Sequence, residues 1–477
     1  MATGPLQKVP AQEPPRWLAK LSLADAEPRW GSSVADSKLV GGALAVANGL
    51  HDRLRGWIDG SFFARYAEFL PLGAVCLLFL ASPFVGTGVN AALVLLALAL
   101  VAFRLFCQPE TRARFSSLDL AVVAFVMVHL VATGFSSFLV PSLKGLAKMM
   151  IYWAAFLTFR QVIQTRQSLN WVIGALLVAG SLEAAYGIFQ WIIGVEPLAN
   201  WEDPETLDPL TRVYSTLMNP NLLGGYLLPI FPLAVSAALV WKGWWRALGV
   251  AAAVLAPVCI WFTYSRGAML GLVAVIGVYG LLGLSLGWPY VKKSRKLQLI
   301  LGGGALAVFG GVALRIATST SLQDRIMSMF TLRGHSSNSF RMNVWMGVMD
   351  MVRDNWLIGV GIGNTAFRKM YSLYMYSGFE ALGAYNVFLE VLAEMGLIGL
   401  VVFCWLLLAF VARNLYTFWS GQGANRWWAA AILAAFAGTF VMGLFDTVFY
   451  RPSVQLQFWL LLALTIAISP RKETPAS

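Results

Sequence analysis

Residues 386–413 read NVFLEVLAEMGLIGLVVFCWLLLAFVAR, and this stretch decides the fold class. Apart from Glu390, Glu394, Asn386 and a final arginine, it is almost wholly apolar. An α-helix needs about 20 such residues to cross about 30 Å of hydrocarbon. A strand of a membrane barrel would instead alternate apolar and polar residues. The stretch therefore predicts a membrane-spanning helix.

Apolar runs of similar length recur along the chain and are separated by polar connections. About twelve of them reach the length that spans a bilayer. They lie at 66–84, 87–105, 117–137, 143–160, 171–194, 221–241, 246–264, 268–287, 297–315, 386–413, 428–445 and 452–470. Only 12% of the 477 residues are charged and 58% are hydrophobic, whereas soluble domains carry about 25% charged residues. The sequence predicts an all-α, polytopic integral membrane protein with about 12 transmembrane helices.

Lysine and arginine residues set the predicted orientation, because they are concentrated in every second connection, as at 104–114 and 292–296. The connection after the fifth span is instead acidic, with Glu202, Glu205 and Asp208. By the positive-inside rule, both termini are cytoplasmic and the acidic connection lies outside. The basic residues in these connections account for the net charge of +12. Since the basic residues do not gather on one polar face, no nucleic-acid partner is expected.

The sequence divides into a cytoplasmic N-terminal region at 1–64, a transmembrane domain at 65–470 and a cytoplasmic tail at 471–477. No removable signal peptide is evident at the start. One side of a helical pattern in the N-terminal region collects Leu39, Ala43, Val46, Leu50, Leu54 and Trp57. This pattern is typical of an amphipathic helix on the membrane surface. A partly ordered tail is the alternative.

The longest connection, at 316–385, is predicted to form an external helical cap between the ninth and tenth spans. Within it, residues 339–355 place apolar side chains on one helical face, namely Phe340, Val344, Trp345, Val348, Met351 and Val352. A second short helix is expected at 365–376. The glycines of GVGIGN at 359–364 predict a turn between the two helices. They follow no strand, so a phosphate-binding loop is disfavoured.

Four arginines beside predicted spans are the main candidates for chemistry: Arg212, Arg266, Arg341 and Arg451. Each could simply extend toward lipid headgroups. The other interpretation is that several converge on an anion, because guanidinium groups match phosphate oxygens and stay charged when desolvated. No HExxH motif, His/Cys cluster or GxSxG motif is found, which disfavours a metal centre and a serine hydrolase. We therefore expect no metal and no cofactor.

A second group of polar residues opens the tenth span. Asn386, Glu390 and Glu394 recur every four residues, so they share one face of the helix. Carboxylates in a membrane helix must face protein or water, and the arginines are the expected partners. A structural ion-pair stripe and a substrate-binding role remain equally open. Glu183 and Asp446 are weaker candidates of the same kind.

These motifs resemble the O-antigen ligase and polymerase superfamily of bacterial membrane proteins. The resemblance rests on RVYSTLMNPNLLGGYL after residue 211, TYSRGAMLGL at 263–272, FRMNVW and WLIGVGIGN around the cap, and AYNVFLEVLAEMGLIGL at 384–400. It covers about residues 210–450. Within the superfamily, the chain is most similar to the cyanobacterial branch described as inorganic-carbon transporters, which shares RVYSTLMNPNLL and GLFDTVFYRP.

The resemblance implies a metal-independent transfer of a saccharide from a polyprenyl-diphosphate donor to an acceptor hydroxyl of a glycan, lipid or protein. The reaction takes place on the outer face of the bacterial cytoplasmic membrane, among membrane lipids. By motif position, Arg212, Arg266 and Arg341 would bind the diphosphate. From their residue patterns, Asn386, Glu394 and Arg451 are further candidates for substrate binding.

The resemblance also implies a catalytic histidine, but Tyr385 stands at that position in this chain. A phenol with a pKa near 10 is a poor base at neutral pH. Either Glu390, another carboxylate or His335 takes the proton, or the acceptor differs, or this branch does not catalyse transfer. The alternative from another functional class is a transporter, or a transport-associated protein, for bicarbonate or another small anion. Such a protein should show related halves with broken helices near the bilayer midplane, and no internal repeat is evident.

Overall fold

The computed structural model describes residues 14–23, 38–108, 116–198, 211–296, 298–299, 303, 310–311, 317–318, 323 and 336–470. Every regular element in these ranges is a helix, in agreement with the all-α prediction. The N-terminal helices are α1 Arg16–Leu21, α2 Lys38–Gly60 and α3 Phe62–Arg65. The long helices up to the cap are α4 Phe69–Ala81, α5 Thr87–Cys107, α6 Leu118–Gly134, α7 Leu139–Val162, α8 Arg166–Ile193, α9 Pro220–Val240, α10 Gly243–Phe262 and α11 Arg266–Lys293. They are followed by α12 Ser336–Asp354, α13 Asn364–Tyr371, α14 Val387–Ser420, α15 Ala424–Gly443 and α16 Pro452–Ile468.

Seven of the described helices are long and apolar enough to cross a membrane: α5, α8, α9, α10, α11, α14 and α15. Helices α4, α6 and α16 are apolar but shorter. Helix α7, which covers the predicted span at 143–160, carries Lys144 and Lys148 in its first turns. The predicted ninth span at 297–315 falls almost entirely outside the described residues. The count of 12 crossings therefore stays a prediction, whereas a multi-pass helical membrane protein is supported.

One continuous apolar core joins the long helices from α4 to α16. Helix α9 lies at its centre and packs along α8, α10 and α15, and α11 packs along α15. Small residues make the closest approaches. A Cβ added to Gly271 would lie 2.7 Å from the carbonyl oxygen of Gly438, so α11 and α15 touch backbone to backbone there. Close contact through small residues is the usual way in which membrane helices associate.

The described part of the cap, at 336–385, forms a second apolar core together with Ala393 of α14. Helix α12 buries Val344, Val348 and Met351, which confirms the predicted apolar face. The indole Nε1 of Trp345 donates to the carbonyl oxygen of Ala384 at 2.9 Å and so ties α12 to the start of α14. The short second helix is present as α13. That the cap lies outside the cell stays a prediction.

The sequence predicts one continuous helix at 386–413. The structure differs, because α14 is broken at Gly396 (φ 64°, ψ −166°). The glycine-rich segment at 356–363 fills the break by pairing backbone with backbone. Val360 N donates to Ala393 O at 2.9 Å, and Leu397 N donates to Trp356 O at 2.7 Å. The GVGIGN glycines thus serve a close approach between backbones, in keeping with the view that they are not a phosphate loop.

The N-terminal region has two described parts. Helix α2 exposes an apolar row made of Val46, Leu50, Leu54 and Trp57. The side chains of Leu39 and Ala43 lie outside the described set. Helix α1 packs on α14, and Ser117 Oγ donates to Leu23 O at 2.8 Å. Attachment of α2 to a membrane surface stays a prediction, and docking of α1 on the bundle was not foreseen.

Candidate functional site

Arg212 contacts the turn that carries Arg266. Its Nε donates to the carbonyl oxygen of Thr263 at 3.1 Å, and its Nη2 donates to Oδ1 of Asn221 at 3.2 Å. Arg266 is the first residue of α11 and follows the N-cap Ser265, whose side chain accepts from Ala268 N. Two arginines from distant parts of the sequence therefore stand beside one turn between α10 and α11.

The segment that carries Arg212 is fixed to α8 by two buried polar side chains. Gln190 Oε1 accepts from Tyr214 N at 3.1 Å and from Ser215 N at 2.7 Å. The Glu183 carboxylate accepts from the backbone N–H and the hydroxyl of Thr216. Glu183 is one of the weaker predicted site residues, and in the structure its carboxylate supports the loop before α9. They hold the loop before α9 in one position.

Asp446 continues the polar network from Asn221. Its Oδ2 accepts from Asn221 Nδ2 at 2.8 Å, and its Oδ1 accepts from Thr447 N at 2.7 Å. Burial raises the pKa of Asp446, while the guanidinium of Arg341 and these hydrogen bonds oppose the rise. Arg212 and Arg341 thus act on one carboxylate, the first through Asn221 and the second through its charge.

Tyr385 lies among the same charges. Its φ of 51° places a non-glycine residue in the left-handed region, a strain that is often found at functional positions. Its ring packs edge-to-face on Phe340, with 5.6 Å between ring centroids. Burial and then Asp446 raise the pKa of the phenol, while Arg341 and Arg451 lower it. The net direction is upward, so the Tyr385 hydroxyl stays protonated at neutral pH and can donate a hydrogen bond.

The two glutamates of α14 are not partnered as expected. Glu390 and Glu394 are buried, and they accept hydrogen bonds from the backbone N–H groups of Ala384 and Gly363 respectively. The expectation that arginines partner them is therefore wrong, because backbone amides of the cap segment occupy that position. Asn386 caps the same helix, since its Oδ1 accepts from the N–H groups of residues 388 and 389.

The structure thus groups the predicted residues unequally. Asn221 joins Arg212 to Asp446 by hydrogen bonds. The charge of Arg341 acts on both Asp446 and Tyr385, and the charge of Arg451 acts on Tyr385. The side chains of residues 386 and 390 contact backbone N–H groups on either side of Tyr385, and that of residue 394 contacts Gly363 N, so a substrate-binding role for these three stays a prediction. His335 lies outside the described residues.

Sequence reasoning overlooked Asn221, although its motif, NPNLL, had been singled out. The described residues contain no group of three His, Cys, Asp or Glu side chains that could hold a metal ion.

Comparisons with known proteins agree with the motifs. A family model for O-antigen ligase matches residues 251–404, a range that includes Arg266, Arg341 and Tyr385. The exopolysaccharide production protein ExoQ of Rhizobium meliloti (strain 1021) is 30% identical over 210 residues. That alignment covers 41% of this chain and 46% of the relative, so the chain matches less than half the length of ExoQ. These similarities support a relationship to the O-antigen ligase superfamily, while the inorganic-carbon branch stays a prediction.

Proposed function

We propose that this protein is a membrane glycan ligase or polymerase that moves a saccharide from a polyprenyl diphosphate to an acceptor hydroxyl at the outer face of the cytoplasmic membrane. The observation that carries the proposal is the arginine cluster around Asp446 and Tyr385. Arg341 and Arg451 both act on Tyr385, and Arg212 reaches Asp446 through Asn221. The similarity to O-antigen ligase over residues 251–404 supports the same reaction class.

The chemistry suits such a cluster. The acceptor oxygen bonds to the anomeric carbon, and the bond from that carbon to the diphosphate oxygen breaks with its electron pair leaving on the diphosphate. Charge grows on the leaving group in the transition state, so fixed cations stabilise the transition state more than the ground state. Arginine provides such charge without a metal, because its planar fork matches phosphate oxygens. Arg212, Arg266 and Arg341 would hold the diphosphate, with Arg451 beside them.

The acceptor hydroxyl must also lose a proton, and Asp446 suits this task better than Tyr385 or Glu390. The raised pKa of the Tyr385 phenol disfavours it as a base. Glu390 is 2% exposed and accepts from Ala384 N. Asp446 is half-buried, and burial raises the pKa of its carboxyl above the ordinary value, which makes the carboxylate a stronger base. In this scheme Tyr385 orients the acceptor, and Glu390 positions the turn that carries Tyr385.

A deletion strain tests the proposal. It is complemented with the wild-type gene, with Arg341→Ala or with Arg353→Ala, and the surface polysaccharide is profiled. Arg353 is the matched control, because it lies on the same helix, is exposed and pairs with Asp350 at 2.8 Å. We expect Arg341→Ala to lower the transfer rate about 100-fold, the usual effect of removing one transition-state donor. Arg353→Ala should restore normal display.

Bicarbonate uptake is measured on the same strains, with membrane levels of each variant determined by immunoblot. A deletion that leaves the polysaccharide profile unchanged and abolishes uptake would replace this proposal with the anion-transport alternative. Normal polysaccharide display in the Arg341→Ala strain would remove the arginine cluster from the mechanism.

A further inference from the structure

A surface cavity of about 410 Å³ lies at the other end of the long helices. It is lined by Arg166, Asn170, Val240, Trp241, Lys242, Trp245 and Ala424. Arg166 begins α8, whereas Gln190, which holds the Arg212 segment, lies 24 residues further along the same helix. At 1.5 Å per residue, about 36 Å separates the two positions. The cavity is therefore separate from the arginine cluster.

The charge of the cavity wall is positive. Arg166 and Lys242 line it, and the lining residues include no aspartate or glutamate. Within the described ranges, neither basic side chain has a hydrogen-bond or ion-pair partner. Two cations at one cavity without protein counter-ions favour an anionic ligand. The volume falls in the range of about 300–1,000 Å³ that is usual for small-ligand sites.

Two tryptophans, Trp241 and Trp245, also line the cavity, and Trp171 and Trp244 lie beside Trp245. Trp245 packs so closely on Gly174 that a Cβ there would collide with the indole ring. The ring centroids of Trp171 and Trp241 lie 5.0 Å and 5.3 Å from that of Trp245. Trp171 and Trp244 remain 45% and 64% exposed. Exposed indoles near the ends of spanning helices settle at the level of lipid headgroups.

We propose that this cavity binds the headgroup of an anionic phospholipid, with Arg166 and Lys242 neutralising its phosphate. A soluble anion would use only the two cations. A phospholipid also places its glycerol and the start of its acyl chains against Val240 and the exposed indoles. Basic pockets between membrane helices bind acidic lipid headgroups by this combination. The site does not depend on the proposed transferase activity.

The test uses the purified full-length protein in nanodiscs made from equal amounts of phosphatidylglycerol and phosphatidylcholine. Native mass spectrometry of the released protein measures which lipid is retained. We expect the wild type to retain phosphatidylglycerol preferentially, and each of Arg166→Gln and Lys242→Gln to lower that preference about fivefold. The control is Arg246→Gln, which removes an exposed charge from the same helix end outside the cavity and should leave the preference unchanged.

Three outcomes would overturn the assignment. The first is a wild type that retains both lipids equally, and the second is an unchanged preference in the double variant Arg166→Gln/Lys242→Gln. The third is loss of the bound phosphatidylglycerol in millimolar inorganic phosphate, which would identify a free-phosphate site instead. If Arg166→Gln does not give monodisperse protein, Arg166→Lys and Lys242→Gln are compared instead. Arg166→Lys should keep the lipid preference, and Lys242→Gln should show the same reduced preference as above.

Discussion

Asp446 is the residue at which burial and charge oppose each other most directly in the candidate site. Asn221 donates to its carboxylate at 2.8 Å, which stabilises the ionised form and lowers the pKa of Asp446. Asn221→Ala removes that donor, so the pKa should rise. A protonated Asp446 cannot take the proton from the acceptor hydroxyl. In a plot of transfer rate against pH, the fall in rate on the acidic side should therefore move to higher pH. We expect a shift of about one pH unit, from the usual strength of a hydrogen bond to a charged group.

The measurement is the pH dependence of saccharide transfer from a lipid-linked donor by purified protein. Asn355→Ala is the control, because Asn355 donates to Met351 O at the end of α12, and its acidic limb should match that of the wild type. Asp446→Asn should have no such limb. A limb at the wild-type position in Asn221→Ala would assign the titration to a group other than Asp446.

The sequence selects individual residues for the candidate site, and those roles stay predictions, but it does not give the contacts that these residues make. Motif reasoning selected all four arginines and Tyr385. Motif reasoning does not predict the contact between Asn221 and Asp446, because 225 residues separate them. Only the packing of α9 against α15 places them side by side. Motif reasoning also gave Glu390 and Glu394 the wrong partners. The carboxylates in the sequence show that buried oxygens need hydrogen-bond donors. When the donors are backbone N–H groups, no residue type in the sequence marks them.

Helix α14 is the element whose local geometry most constrains the site, because its first turns support Asn386, Glu390 and Glu394 and its break receives the cap segment. Gly396 has a φ of 64°, and a Cβ there would collide with the carbonyl group of Leu357. A non-glycine residue in the left-handed region costs about 1–3 kcal/mol. Gly396→Ala should therefore lower the free energy of unfolding by at least that amount. It should also lower transfer activity, since the Tyr385 turn rests on this junction.

Thermal unfolding in detergent, followed by tryptophan fluorescence, measures the effect. The matched control is Gly73→Ala in α4, where an added Cβ meets nothing within 4 Å. That variant should unfold at or slightly above the wild-type temperature, because alanine is the better helix former. Equal unfolding temperatures for the two variants would mean that the break in α14 relaxes without cost.

Periodicity predicted the positions of these helices well and the break in α14 not at all. A glycine inside an apolar run costs a helix only about 1 kcal/mol, so GLIG at 396–399 was consistent with a continuous span. The deciding factor is the segment at 356–363, which pairs its backbone with residues on both sides of Gly396. Such a pairing depends on a chain segment more than 30 residues away, and local patterns contain no information about it.

The whole molecule has two polar ends with different chemistry. At one end, Arg212 contacts the turn at the start of α11, and Arg451, which precedes α16, acts by its charge on Tyr385 before α14. The opposite end holds the lipid cavity and a buried ion pair between Arg160 and Asp119 at 2.6 Å. An enzyme that uses a lipid-linked donor outside the cell needs the first end on the outer face. The charge pattern of the connections predicts that orientation.

Single-cysteine labelling tests this orientation directly. Leu198 follows α8 at the arginine-cluster end, Gln422 precedes α15 at the other end, and both are exposed. In a background in which the four native cysteines, Cys76, Cys107, Cys259 and Cys404, are replaced by alanine, Leu198→Cys should react with a membrane-impermeant maleimide in intact cells. Gln422→Cys should react only after permeabilisation, because a charged reagent does not cross the hydrocarbon layer. The reverse pattern would put the arginine cluster in the cytoplasm, where the proposed donor would have to be used before export, and the proposed outer-face transfer would be wrong.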